Sequence, residues 1–136
     1  MSTQIFINLP VKDLKKSVKF FTDLGFRLNP QFTDENAACL VISDDIYVML
    51  LVEKFFQTFT PKGIADTNQS TEVINALMVE SRARVDQLAE AAFLAGARPV
   101  NPPQDYDWMY GRSFQDLDGH LWEVGWMDPD HIQPVK

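Results

Sequence analysis

The sequence predicts an α+β fold made of two tandem β-α-β-β-β modules, because the chain is written twice. A strand-like run from Phe6 to Val11 precedes a helix-like segment opening at Asp13, then Leu24-Gly25-Phe26-Arg27-Leu28-Asn29-Pro30. A second run from Ile74 to Val79 precedes a segment opening at Ser81, then Ala95-Gly96-Ala97-Arg98-Pro99-Val100-Asn101-Pro102. The module ends echo too: Asp44-Asp45-Ile46-Tyr47-Val48-Met49-Leu50 lies over Asp118-Gly119-His120-Leu121-Trp122-Glu123-Val124. Such self-similarity fixes which positions are structurally equivalent. Phe6 corresponds to Ile74 and Met49 to Glu123, and only Glu123 carries a group suited to a divalent cation or a proton.

Each element follows from local pattern. Residues 4–10 are rich in β-branched and aromatic side chains and read as a strand. Asp13 is the expected N-cap of a helix carrying Leu14, Val18, Phe21 and Leu24 at helical spacing, and Gly25 is its left-handed stop. Strands are expected at residues 26–32, 37–42 and 46–52, with Asn-Pro and Asp-Asp as turn signals. Ser81 caps a second helix through Val85, Leu88 and Ala92, ended by Gly96 and about three residues longer than the first. Strands at residues 98–105, 109–115 and 120–126 complete the second copy. The modules are thus expected at residues 1–53 and 71–128, joined by a connector at 54–70 and followed by a tail at 129–136. Within the connector, residues 53–59 suggest a short helix showing Phe55, Phe56 and Phe59 on one side, serving as a core cap, a lid or a dimer contact.

Composition narrows the class. A chain of 136 residues with 46% hydrophobic and 23% charged residues suits one soluble domain with a sizeable core. A net charge of −7 offers no basic patch, so neither nucleic acid nor an anionic membrane surface is an expected partner. The single Cys39 sits in an apolar run, which excludes an intrachain disulfide framework and fits a buried, inert thiol. Nothing reads as a leader or a membrane span, and a cytoplasmic location is expected.

Val11-Lys12-Asp13-Leu14, the helix ending Phe20 to Phe26, and Phe114-Gln115-Asp116-Leu117-Asp118-Gly119-His120-Leu121-Trp122-Glu123 resemble the vicinal oxygen chelate superfamily. That group includes glyoxalase I, extradiol dioxygenases, fosfomycin-resistance enzymes and bleomycin-resistance proteins. The resemblance spans nearly the whole chain and implies that the two modules pair their sheets around a cleft. It further implies metal ligands on the first and fourth strands of each module. Carried over, those positions fall on Phe6, Met49, Ile74 and Glu123. A divalent cation needs several oxygen or nitrogen donors, so no metal and no other cofactor is expected. His120 is an odd step from Glu123 and should face the opposite side of its strand. His131 lies in the tail, and Asp116 and Asp118 read as the turn before the last strand.

Strand alternation then assigns the cleft-facing side. Phe6, Asn8, Tyr47, Met49, Ile74 and Glu123 are the candidate ligand-binding residues, with Ala76, Met78, Leu121 and Gly125 on the same faces. Trp122, Val124 and Trp126 face away. The hairpin at residues 104–112 adds Trp108, Tyr110 and Arg112, aromatics and a cation beside Asp105 and Asp107. Arg112 either pairs with Glu123 in the cleft or points out. The expected function is binding of a small hydrophobic or cationic molecule without metal, as in bleomycin-resistance proteins. The alternative is a lyase or dioxygenase-type enzyme with an altered metal site, or with Glu123 as acid/base catalyst. A homodimer is expected from exposed strand edges and from Phe55, Phe56 and Phe59, with Trp122 and Trp126 as weaker contacts.

Overall fold

Two short polar side chains start the two main helices. The Asp13 carboxylate accepts from the Lys16 backbone N–H at 3.2 Å, and the Ser81 hydroxyl accepts from that of Arg84 at 3.1 Å. Each occupies a backbone donor that the first helical turn would otherwise leave unpaired. The helices end where glycine permits a left-handed residue: Gly25 has φ of 104° and Gly96 of 110°.

The computed structural model describes residues 2–131, which form one compact unit up to Asp66 and another from Thr67 onward. In the first unit, β1 (Ile5–Val11), α1 (Leu14–Asp23), β2 (Arg27–Leu28), β3 (Ala37–Ser43) and β4 (Ile46–Val52) give a sheet ordered β1-β4-β3-β2. A short helix α2 (Glu53–Phe56) and one 3-10 turn (Gln57–Phe59) follow. In the second unit, β5 (Ile74–Met78), α3 (Arg82–Leu94), β6 (Arg98–Pro99), β7 (Gln104–Tyr106), β8 (Met109–Gln115) and β9 (Leu121–Met127) give a sheet ordered β5-β9-β8-β6, with β7 also on β8. At 13 residues against 10, α3 exceeds α1 by the three residues expected.

The ladders confirm the repeat at single-residue resolution. β1 runs parallel to β4 with Phe6 opposite Tyr47 and Asn8 opposite Met49. β5 runs parallel to β9 with Ile74 opposite Leu121 and Ala76 opposite Glu123. Because a one-residue slip would turn every side chain to the other face, this shared register sets Met49 and Glu123 at equivalent points. Core side chains fill the helix side of each sheet: Phe20, Leu40, Val48 and Leu50 in the first unit, Val85, Leu88, Trp122 and Val124 in the second.

Proline accounts for the departures from expectation. The strand expected at residues 26–32 stops after Leu28, because Pro30 lacks a ladder donor and the Asn29 side chain caps the Gln31 N–H at 3.0 Å, starting a 3-10 turn instead. The strand expected at residues 98–105 breaks into β6 and β7 around Pro99, Pro102 and Pro103. Trp122 is only 1% exposed, packed on the helix side, so it offers no dimer contact. Phe55 and Phe56 are half-buried, and Phe59 is exposed and meets Phe55 edge-on at 5.1 Å. No helix among the described residues is long and apolar enough to cross a membrane. The tail expected at residues 129–136 is described as far as His131, and its remainder lies outside the described residues.

Candidate functional site

On β8 and β9 the faces are set by cross-strand partners. Ser113 lies opposite Glu123, Gly111 opposite Gly125 and Met109 opposite Met127, and these share the face turned away from α3. Arg112 lies opposite Val124 and Tyr110 opposite Trp126, on the α3 side.

A cavity of about 160 Å³ opens on the first of these faces. Ala76, Gly111 and Gly125 floor it, Met78, Met109 and Met127 wall it with thioethers, and Glu123 and Ser113 supply polar groups. The Asn101–Pro102 loop and Gln104 form its rim. Ser113 anchors that rim, since its hydroxyl accepts from the Asn101 backbone N–H at 3.1 Å. Glu123 itself is exposed within its unit.

The α3 side holds a separate polar cluster. The Arg112 guanidinium pairs with Asp86 at 3.1 Å and Glu90 at 2.8 Å, and lies 5.5 Å above the Phe93 ring. Pairing with Glu123 is thereby replaced: Arg112 borders the cavity, but its charge is committed to the helix. Burial opposes the charged guanidinium, yet its hydrogen bonds to Glu90 and Asp86 outweigh that and raise its pKa. Tyr110 also turns to α3, donating its hydroxyl to Asp86 at 2.6 Å, which holds the Asp86 carboxyl below its usual range and raises the phenol. Neither side chain presents its polar end beside Glu123.

Arg82, at the start of α3, clamps the β7–β8 hairpin. Its guanidinium bonds the Asp105 carboxylate at 2.6 Å and the Tyr106 and Asp107 carbonyls, while lying 5.4 Å from the Tyr110 ring centre and 5.1 Å from that of Trp126. Trp108, in the hairpin turn, stacks on Tyr106 at 6.1 Å and on His131 at 4.4 Å. His120 is buried, its Nδ1 2.9 Å from Glu72 Oε1. Asp116 organises the turn before β9, accepting from the Asp118 and His120 backbone N–H groups and from Trp122 Nε1 at 2.9, 3.0 and 3.0 Å. Burial pushes the Asp116 carboxyl above its usual range, partly offset by His120 and these bonds. Burial likewise raises the Cys39 thiol, which suits an inert core cysteine.

In the first unit, Phe6 stacks on Tyr47 at 4.6 Å, and the Tyr47 hydroxyl donates to the Asp44 carbonyl at 2.7 Å. Asn8 donates to the Phe6 carbonyl at 3.5 Å, and Met49 lies opposite it on β4. Among the described residues, no group of three His, Cys, Asp or Glu side chains is placed to hold a metal ion. Sequence pattern alone did not single out Gly111, Ser113, Asn101 or Gln104. Glycine inside a strand pattern was the available signal, since it often marks a close approach of ligand or backbone.

Comparison with known proteins agrees with this architecture. A family profile described as bleomycin resistance protein-like N-terminal matches residues 3–43. No functionally curated protein matches the sequence. A solved hypothetical protein of S. aureus is 33% identical over 91% of this chain and 93% of that one, with a TM-score of 0.75. A glyoxalase/bleomycin resistance protein/dioxygenase family enzyme from Burkholderia phytofirmans is 14% identical, covering 93% of this chain and 99% of that one at 0.75. An antibiotic binding protein from Streptomyces is 18% identical, covering 94% and 98% at 0.65. With its two β-α-β-β-β units in matching register, the chain shares the fold of the glyoxalase, bleomycin-resistance and dioxygenase proteins, and its first unit carries the match to the bleomycin resistance protein-like N-terminal family.

Proposed function

We propose that this protein binds a small hydrophobic or cationic molecule without metal, holding it rather than transforming it. The observation that carries this reading is the cavity on the open face of the second sheet, where the Glu123 carboxylate stands among three methionine side chains. Apolar walls with a few orienting polar groups are the usual make-up of a small-molecule site. The superfamily's metal positions carry Phe6, Met49 and Ile74 beside one carboxylate, and a divalent cation does not fit that set of donors. Across the ladder Glu123 faces Ala76 and Ser113, neither of them a base, which favours binding over acid–base chemistry. A structural neighbour named as an antibiotic binding protein supports the same direction.

A thermal-shift screen of small apolar and cationic compounds tests the reading, since a ligand selective for the folded state raises the melting temperature by mass action. Stabilising compounds are expected, and Glu123→Ala should abolish the shift for the cationic ones. A screen in which no compound stabilises the protein would overturn the proposal.

A further inference from the structure

Gly111 and Gly125 face each other directly across the β8–β9 ladder, in the middle of both strands and on the floor of the cavity. Glycine weakens a strand, because it loses more backbone freedom on folding and brings no side chain to pack. Backbone shape does not demand it here: the glycines with positive φ are Gly25, Gly96 and Gly119, and the β8–β9 register runs without a shift. Nor does crowding demand it at Gly111, where an added Cβ would meet its nearest neighbour, the Val124 carbonyl oxygen, at an ordinary 3.7 Å. At Gly125 the added Cβ would come 3.1 Å from the Met78 methyl and 3.2 Å from its sulfur. That thioether is the end of a flexible, half-exposed side chain. The protein's own packing therefore leaves the bare backbone at Gly111 unexplained. The cavity above supplies the reason.

We infer that the ligand presents one flat aromatic ring to this cavity, laid on the Gly111–Gly125 pair, with a cationic or hydrogen-donating group toward Glu123. The inference rests on the binding role proposed above and deepens it. Volume sets the ring count: 160 Å³ is close to the apolar cavity of about 150 Å³ known to take a benzene. A single ring fills that space, and because the cavity is open any larger part of a ligand would project out of it. Shape sets the flatness, because two opposed glycines leave peptide planes with no Cβ between them and the ring face. The walls suit an aromatic edge: Met78, Met109 and Met127 are adaptable, and thioether sulfur contacts aromatic rings favourably. Charge sets the polarity of the substituent, as Glu123 is the carboxylate lining the cavity of a chain with net charge −7.

Three probes of similar size separate these elements: benzamidine (flat and cationic), benzamide (flat and neutral) and cyclohexanecarboxamidine (cationic, with a puckered ring). Titration followed by amide NMR reads both affinity and place. For the unmodified protein we expect benzamidine to bind at least about tenfold more tightly than either analogue, shifting the Gly111 and Gly125 amides. Gly111→Ala should melt no lower than the parent yet lose benzamidine by about tenfold or more. Glu123→Gln should bring benzamidine and benzamide to similar affinity. Equal binding of the puckered analogue at the same amides would overturn the flat-ring inference and leave the binding role standing, and so would undiminished binding to a folded Gly111→Ala. If a wider screen finds Glu123-dependent ligands while all three probes fail, the inference likewise falls alone. Failure of every compound at these strands removes the binding role as well. The comparison among probes on the unmodified protein decides the matter even if the glycine variant folds poorly.

Discussion

Phe6 lies flat against Tyr47, ring centres 4.6 Å apart and planes 13° from parallel, across the parallel pair β1–β4. The resemblance to the vicinal oxygen chelate superfamily implies a metal-ligand position where Phe6 stands, and Met49 holds the equivalent of Glu123 on the same pair of strands. A hydrocarbon ring and a thioether offer a divalent cation neither oxygen nor nitrogen at these two positions. We expect the purified protein to carry no stoichiometric divalent metal. Elemental analysis checks this directly, and one zinc, nickel, iron or manganese per chain, lost in Glu123→Ala, would contradict it.

Arg82 ties α3 to the hairpin that borders the cavity through Gln104 and Met109. It combines one carboxylate bond, contacts to backbone carbonyls and two aromatic faces, a set that a planar guanidinium can satisfy and an ammonium cannot. Arg82→Lys should therefore behave much like Arg82→Ala, each losing about 1–2 kcal/mol in denaturant unfolding. Faster amide hydrogen exchange across β7 and the hairpin turn should accompany the loss. Full rescue by lysine would show that charge alone matters there.

Much of this architecture is legible in the chain because it is local. Asp13 and Ser81 announce helix starts, Gly25 and Gly96 announce ends, and the repeat by itself aligns Met49 with Glu123. Period-two alternation also placed Trp122 and Val124 opposite Glu123. The direction of Arg112 was not legible, because it depends on Asp86 and Glu90 being brought over β8 by helix packing, more than twenty residues away in sequence. The cavity rim was hidden for a related reason. Prolines at 99, 102 and 103 lift that segment out of the ladder, and strand periodicity carries no information once a strand has ended.

The Asp86–Tyr110 bond gives a pH signature. The Tyr110 hydroxyl first, then Arg112, holds the Asp86 carboxyl below its usual range against the opposing effect of burial. A carboxyl with a lowered folded-state pKa contributes stability that is present above its unfolded value, about 3.9, and is lost as pH falls through the folded value. Because the Asp86 side chain is 51% exposed, solvent screens the effect, and Tyr110→Phe should cost about 1 kcal/mol or less at neutral pH. The difference in melting temperature between parent and Tyr110→Phe should be present at neutral pH and close below about pH 4. A gap that persists unchanged in acid would assign the loss to ring packing instead.

A homodimer is expected from the apolar surface of the first unit. Phe59 is 68% exposed and Ile5, Phe6 and Ile46 are 52%, 43% and 36% exposed, with β1 at the edge of its sheet. Exposed edges and clustered apolar side chains both invite a partner, and the symmetric pair is the commonest soluble assembly. The competing arrangement keeps the segment after β4 as a lid on its own unit, and α2 does contact β1 and β4. Exposure decides between the phenylalanines: Phe55 and Phe56 are half-buried within the chain, so Phe59 is the one free to cross an interface. Light scattering at micromolar concentration should give twice the 15.5 kDa of one chain. Phe59→Ser should weaken the pair with little change in unfolding stability, whereas Phe55→Ser should lower stability as well. A mass near one chain for the unmodified protein would leave the monomer with its lid as the correct description.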